Sequence, residues 1–297
     1  MPTSLLYGLT VLIWGSSWYA IRLQTGVVSV DLAIAYRFVL AAAVLIGYCL
    51  ATGRRLRYGA RDHLLMAAQG VTLFSLNYML FYRASFDMPS GLMSVCFSTI
   101  LLMNIANGHL FFKTRVEPRV FIGALLGLAG LTLVFWPEVA GFGGKAMTGL
   151  LLSLAATYSA SLGNMISVRH KQREIPVIES NAIGMAYGAL CSLAIAAALG
   201  RPLVYDFRPQ FTVALLFLSI FASIIGFGSF LTLIHRIGAD RAAYATVLFP
   251  IVALAISTWL EGYAWTPLAA AGVALVLLGN VLVLMRRRPA LKESEPA

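Results

Sequence analysis

Ten apolar runs of membrane-spanning length fill almost the whole chain, separated by short polar breaks. A helix needs about 20 apolar residues to cross a hydrocarbon core. The pattern predicts spans at 4–21, 32–51, 63–83, 89–112 and 118–136, then at 147–168, 178–199, 210–235, 241–260 and 266–285. The breaks carry turn or charge chemistry, as at Gly53-Arg54-Arg55, Asp87-Met88-Pro89, Glu117-Pro118, Gly141 to Gly144 and Gly200-Arg201-Pro202. Pro89, Pro118 and Pro267 stand at helix starts, where a missing N–H costs nothing. Pro250 falls well inside a span and predicts a kink there.

The last five runs read as a second edition of the first five. Tyr82-Arg83-Ala84-Ser85-Phe86-Asp87 matches His235-Arg236-Ile237-Gly238-Ala239-Asp240. Gly123-Ala124-Leu125-Leu126-Gly127-Leu128-Ala129-Gly130 matches Gly272-Val273-Ala274-Leu275-Val276-Leu277-Leu278-Gly279. A duplicated unit with an odd number of spans crosses the bilayer in the opposite sense, an architecture that recurs among secondary transporters. The expected fold is therefore an all-α membrane protein with ten transmembrane helices in a five-plus-five inverted repeat. Its parts are a first repeat over 1–140, a second over 146–285 and a polar tail over 286–297.

Composition agrees: 60% of residues are hydrophobic and 11% charged, with a mean hydropathy of +0.83. So apolar a chain has no room for a separate soluble domain. The net charge of +10 sits in clusters between apolar runs. It sets topology and gives no reason to expect nucleic acid. Five basic residues, Arg22, Arg83, Lys145, Arg201 and Arg208, fall on one side of the predicted bilayer. Sixteen fall on the other, in clusters at 54–61, 113–119, 169–173, 236–241 and 286–292, and Arg37 lies within a span. The basic side faces the cytoplasm, so both termini are expected there. The first run lacks a basic leader and is read as a span, not a cleaved signal. Cys49, Cys96 and Cys191 lie inside apolar runs, which disfavours disulfides.

Several short motifs, in order, carry a resemblance. They are Trp14-Gly15-Ser16-Ser17, Arg37-Phe38, Phe249-Pro250, Glu261-Gly262 and the glycine-spaced fifth and tenth spans. With them the chain resembles, over essentially its full length, the EamA-type family of the drug/metabolite transporter superfamily. The resemblance implies a bacterial inner-membrane protein in which spans one to four and six to nine enclose a central pocket. It also implies a secondary transporter exporting small metabolites by alternating access, and the family includes exporters of amino acids, aromatic ones among them. Two departures stand out. Phe112-Lys113 replaces a first-half counterpart of Glu261, and the second-half partner of Trp14 is not aromatic.

Polar side chains are costly against lipid, so polar stripes are expected to face inward. Span four carries Ser90, Ser94 and Ser98; span six carries Ser153, Thr157, Ser161 and Asn164; span eight carries Ser219 and Ser223. Such residues line a cavity or simply bond across helix contacts. Spans five and ten are nearly bare and look peripheral. Arg37, two turns inside span two, has a planar fork suited to a carboxylate. The competing reading is that it snorkels to the headgroups or bonds helix-end carbonyls. Trp14, Asn77, Tyr78 and Tyr158 lie too deep for an interfacial belt and are candidate substrate contacts, with Ser17 beside Trp14 and Trp18 on span one. Trp18, Tyr19, Phe81 and Tyr82 fit an interfacial aromatic belt, with Trp18 and Tyr82 kept as candidate contacts. Gly226, Gly228 and Pro250 are candidate hinges. Gly123-x-x-x-Gly127 and Gly184-x-x-x-Gly188 are helix contacts within one chain or between copies in a homo-oligomer.

None of the twelve acidic residues falls at mid-bilayer, and His63, His109, His170 and His235 all fall near cytoplasmic ends. Proton coupling usually needs a buried titratable group in the pathway. Gradient-driven export of amino acids with aromatic or apolar side chains is therefore expected, with a proton-coupled antiporter using His109 as an alternative. Lipophilic drugs or other metabolites are the alternative cargo, and a receptor without transport is the rival class. No enzyme motif or Cys/His metal cluster is present, and no cofactor or metal is expected. The expected partners are a small-molecule substrate and the lipid bilayer.

Overall fold

The computed structural model describes residues 2–114, 116, 118–140, 144–237 and 245–284. Arg115, Glu117, Gly141 to Gly143, Arg241 and the tail, all used in the sequence argument, lie outside the described residues. So do Gly238, Ala239 and Asp240 of the matching segment.

The described residues form ten helical runs and no strand. The first half comprises α1 (Thr3–Leu23), α2 (Val30–Ala51), α3 (60–84), α4 (90–112) and α5 (Pro118–Ala140). The second comprises α6 (Gly144–Gln172), α7 (Val177–Ala198), α8 (209–237), α9 (Ala245–Leu260) and α10 (Pro267–Leu284). The first eight are long and apolar enough to cross a membrane, and Val247–Leu260 and Pro267–Val283 are shorter apolar helices. Helix ends follow local chemistry. Gly53 and Gly200 take the left-handed conformation after α2 and α7, with φ of 66° and 62°. The following N–H groups reach back, Arg54 N to Cys49 O (2.8 Å) and Arg201 N to Ala196 O (2.9 Å).

Three helices depart from the plain spans the pattern predicts. In α4, Ser90–Ser98 and Ile100–Phe112 are separated by a turn at Thr99. Ser94, Ser98 and Thr99 each donate to the carbonyl three residues back, at 2.6–2.7 Å, in competition with the helix ladder. In α3 a π-helical segment, Gly70–Leu76, lies between Ala60–Gln69 and Asn77–Ala84. In α8 a second one, Phe217–Gly226, lies between Pro209–Leu216 and Phe227–Ile237. In each π segment a carbonyl accepts a side-chain donor from another helix. Ser159 Oγ of α6 donates to Thr72 O (2.7 Å), and Trp14 Nε1 of α1 donates to Ala222 O (3.2 Å).

Helix pairing is reciprocal between the halves. α2 packs on α7, α4 on α9 and α5 on α10; α1 lies against α8 and α9, as α6 lies against α3 and α4. The bare helices α5 and α10 mate mainly with each other. A Cβ on Gly130 would sit 2.5 Å from Gly272 O, and one on Gly272 would sit 2.5 Å from Gly130 O. Gly123 and Gly279 oppose each other in the same way, at 2.8 and 2.6 Å. Gly184 and Gly188 receive Gly70 of α3. Both small-residue motifs thus include contacts made inside the chain. Replacing Gly272 with Val should force α5 and α10 apart and cost about 1–3 kcal/mol or more, read as a lower unfolding temperature in detergent. Gly8→Ala, where an added Cβ meets nothing within 4 Å, should not lower it.

Candidate functional site

A cavity of about 280 Å³ lies between the two halves. α1 contributes Trp14, Ser17, Trp18 and Ile21; α2 contributes Arg37; α3 contributes Leu73, Asn77, Tyr78 and Phe81. Phe97 and Asn104 of α4, Asn164 of α6, Phe227 and Phe230 of α8 and Phe249 of α9 complete most of the wall. Both π segments reach it, through Leu73 and Ala222. Towards the end where α1 finishes, Trp18, Ile21, Phe81 and Phe249 are all buried. Asn104, Asn164, Phe227 and Phe230, further from that end, are only partly buried.

Arg37 is 2% exposed. Its Nε and Nη2 donate to Ser223 Oγ (3.3 and 3.2 Å), and Nη2 also donates to the Tyr78 hydroxyl (3.2 Å). The guanidinium carbon lies 4.2 Å from the Tyr78 ring centroid and 5.0 Å from that of Phe38. Nη1 is buried without a hydrogen-bond partner. No acidic side chain is among the described residues lining the cavity. The snorkelling alternative is thereby overturned: the side chain turns into the bundle and bonds hydroxyls, not headgroups or helix-end carbonyls. A cation desolvated among neutral groups is expensive and favours an anionic visitor.

Of the expected contacts, the structure brings Trp14, Ser17, Trp18, Arg37, Asn77, Tyr78 and Asn164 to the cavity. Ser17 Oγ donates to Trp14 O (2.8 Å), and Asn164 Nδ2 donates to Asn104 Oδ1 (3.3 Å). Gly226 seats the Trp14 indole, since an added Cβ would stand 2.6 Å from Nε1. A Cβ on Gly228 would meet nothing within 4 Å, and Pro250 is buried inside α9.

Other expected contacts lie elsewhere. Tyr158 is 46% exposed, pointing away from the α6 face of Ser153, Thr157 and Ser161 that is buried in the bundle. Ser94 and Ser98 are buried and donate within their own helix, to Gly91 O and Val95 O. Ser161 accepts from Asn107 Nδ2 (2.9 Å), and Ser153 and Thr157 are likewise buried in helix contacts. Most of the α6 stripe therefore bonds and packs between helices, and only Asn164 reaches the cavity. Tyr82 is buried and donates to Gln24 Oε1. The belt reading fails for Trp18, Phe81 and Tyr82, all of them interior. Trp18 packs edge-on against Phe81 at 4.9 Å and tilted against Phe97 at 5.4 Å. His109 lies exposed at the end of α4, with Nδ1 2.7 Å from Thr114 O.

Sequence reasoning missed Phe97, Asn104, Phe227, Phe230 and the carboxylate of Glu261 as a structural centre. An amide inside an apolar run was a usable signal for Asn104. The phenylalanines gave none, being indistinguishable from lipid-facing or core residues. Glu261 Oε2 accepts from Ser90 N (2.8 Å), Ser90 Oγ (2.9 Å) and Ser257 Oγ (2.6 Å). Its Oε1 lies 3.4 Å from Arg22 Nη1, so α1, α4 and α9 meet at this buried group.

Comparison with known proteins agrees with this architecture. The model of a family described as "EamA-like transporter family" matches residues 2–136 and 147–285. A "Probable amino-acid metabolite efflux pump" of Salmonella typhimurium is 26% identical over 295 residues, covering 95% of each chain. A protein of the same name in Escherichia coli K12 is 26% identical, covering 94% of this chain and 95% of its own. The "Uncharacterized inner membrane transporter YedA" of E. coli K12 is 25% identical, covering 92% and 88%. One solved structure, described only as "Crystal structure of protein", has a TM-score of 0.67 at 19% identity. It covers 94% of this chain and 95% of that one, a likeness of fold.

Proposed function

The chain belongs to the EamA-like transporter family, and from that premise we propose that it exports amino acids with aromatic or apolar side chains by alternating access. Membership makes it a multi-pass membrane transporter, and the names of its relatives point the same way, to transport and not to an enzyme. The observation that carries the finer reading is Arg37, a buried cation at an aromatic cavity with one unpartnered NH₂ group and no acidic neighbour in the described wall. Apolar walls alone would suit a lipophilic drug equally well; the guanidinium favours a carboxylate. Phenyl or alkyl side chains suit the ring faces of Trp14, Trp18 and Phe97. Two enterobacterial relatives named as amino-acid metabolite efflux pumps add support.

The ten helices are read as two inverted five-helix repeats, 1–140 and 146–285. The reciprocal pairing of the halves, the two π segments and the two separate family matches all favour this. The basic-residue count favours cytoplasmic termini in a bacterial inner membrane, and hence a cavity whose buried end is periplasmic. Bending near Gly226, Gly228 and Pro250 is the proposed hinge motion between access states. The absence of an acidic side chain from the described cavity wall favours gradient-driven flux over proton coupling.

Counterflow in proteoliposomes tests this reading. Preloaded unlabelled phenylalanine, leucine or tryptophan should draw in the labelled amino acid, and an imposed pH gradient should leave the flux unchanged. Flux of cationic drugs without amino-acid flux would sink the substrate assignment. Acceleration by the pH gradient would sink the gradient-driven mechanism.

A further inference from the structure

An α-amino acid brings a cation beside its carboxylate, and a site that selects such molecules must receive both. With no acidic side chain in the described wall, the ammonium has to find a neutral acceptor. Trp14 Nε1 and Asn164 Nδ2 are donors and cannot accept it, while Ser17 Oγ and Asn104 Oδ1 already share hydrogen bonds with Trp14 O and Asn164 Nδ2.

Asn77 differs. Its Nδ2 donates to Leu73 O at 3.2 Å, and only the NH₂ end of an amide can make that bond, so the orientation of the group is fixed by chemistry. Its Oδ1 is then buried without a donor, on a residue that lines the cavity and is 4% exposed. The next residue, Tyr78, is the one whose hydroxyl accepts from Arg37 Nη2. An orphaned acceptor on Asn77 and an orphaned donor on the partner of Tyr78 thus belong to one wall. They are of opposite character, as a zwitterion requires.

We propose that Asn77 Oδ1 accepts a hydrogen bond from the α-ammonium of the substrate whose carboxylate Arg37 holds. Asn77 is on this account the residue that selects α-amino acids over the matching deaminated acids. The inference rests on the carboxylate reading of Arg37 and adds to it. A transporter with Arg37 alone would accept any apolar carboxylate of suitable size.

The test is competition against counterflow of labelled L-phenylalanine by the full chain in proteoliposomes. The competitors are L-phenylalanine and 3-phenylpropanoate, which differ only in the ammonium. The wild type should prefer the amino acid by about 10-fold or more, since a buried acceptor left unmatched penalises the wrong ligand. Asn77→Leu and Asn77→Ala should bring the two competitors to near parity, while Asn77→Asp, which keeps an acceptor, retains the preference. The Ala variant removes an unsatisfied acceptor and should fold, so loss of the Leu variant would not decide the matter. Equal competition in the wild type would overturn the role of Asn77 and leave that of Arg37 standing. An equal loss for both competitors in the Ala variant would reduce Asn77 to a positioning residue and overturn the proposal. If neither competes and labelled phenylalanine is not carried, the carboxylate reading falls first and takes the ammonium site with it.

Discussion

Arg37→Ala should abolish amino-acid export while leaving the protein at least as stable as before. Truncating one partner of a desolvated charge contact typically costs about 2–5 kcal/mol, or roughly 30- to 5,000-fold in affinity. Without substrate, the same guanidinium is a burden on the fold. It is buried, leans on two hydroxyls and two rings, and leaves Nη1 unpartnered. Removing a desolvated charge that lacks a counter-ion is neutral or stabilising, apart from the space it leaves. Arg37→Lys should retain a fraction of the flux, because an ammonium cannot reproduce the planar fork. Counterflow and thermal unfolding of the same purified variants make the comparison. A variant that loses stability in step with activity would mark Arg37 as a structural cation. Undiminished export by Arg37→Ala would remove the carboxylate role altogether.

Arg37 stood out in the sequence because arginine inside an apolar run is rare and expensive, so its mere presence asks for an explanation. The helices were visible for a related reason: lipid demands long apolar runs, and among the described residues each such run is helical, eight of them long and apolar enough to cross a membrane. The inward bias of small polar residues was legible too, but not their duty. Ser94, Ser98 and Ser161 resemble Ser17 in type and in lying within apolar runs, and only three-dimensional placement tells a cavity wall from a helix contact. Tyr158 shows the limit of depth as a guide, since depth says nothing of which side of a helix faces the bundle. The π segments had no signature. They arise where Gly70 and Gly226 allow a backbone or an indole to approach, and Ser159 and Trp14, far along the chain, complete their hydrogen bonds.

Glu261→Ala should produce the largest loss of stability among single substitutions near the cavity, about 2–4 kcal/mol. Three donors converge on Oε2, and charge-assisted hydrogen bonds of this kind contribute about 1.5–3 kcal/mol each before their partners find substitutes. The Arg22 contact adds little, because its side chain is 43% exposed and solvent screens it. Ser90 N is the costly survivor: it opens the helical run Ser90–Ser98 and has no other acceptor assigned to it, whereas the two hydroxyls can turn to backbone carbonyls. Glu261→Gln keeps an acceptor and should lose about half as much. The consequence for transport follows from position. The carboxylate joins the ends of α1, α4 and α9 beside the buried end of the cavity, and all three helices supply its wall. On the proposed alternating-access reading, parting α1 or α4 from α9 is one way to open that side. Weakening the junction should therefore raise the labelling rate of a cysteine placed at Ile21, in a background where Cys49, Cys96 and Cys191 are replaced. Faster labelling in the Gln variant, with its fold intact, would identify the carboxylate as the clasp on that end. Unchanged labelling together with a lowered unfolding temperature would confine it to holding three helices in place.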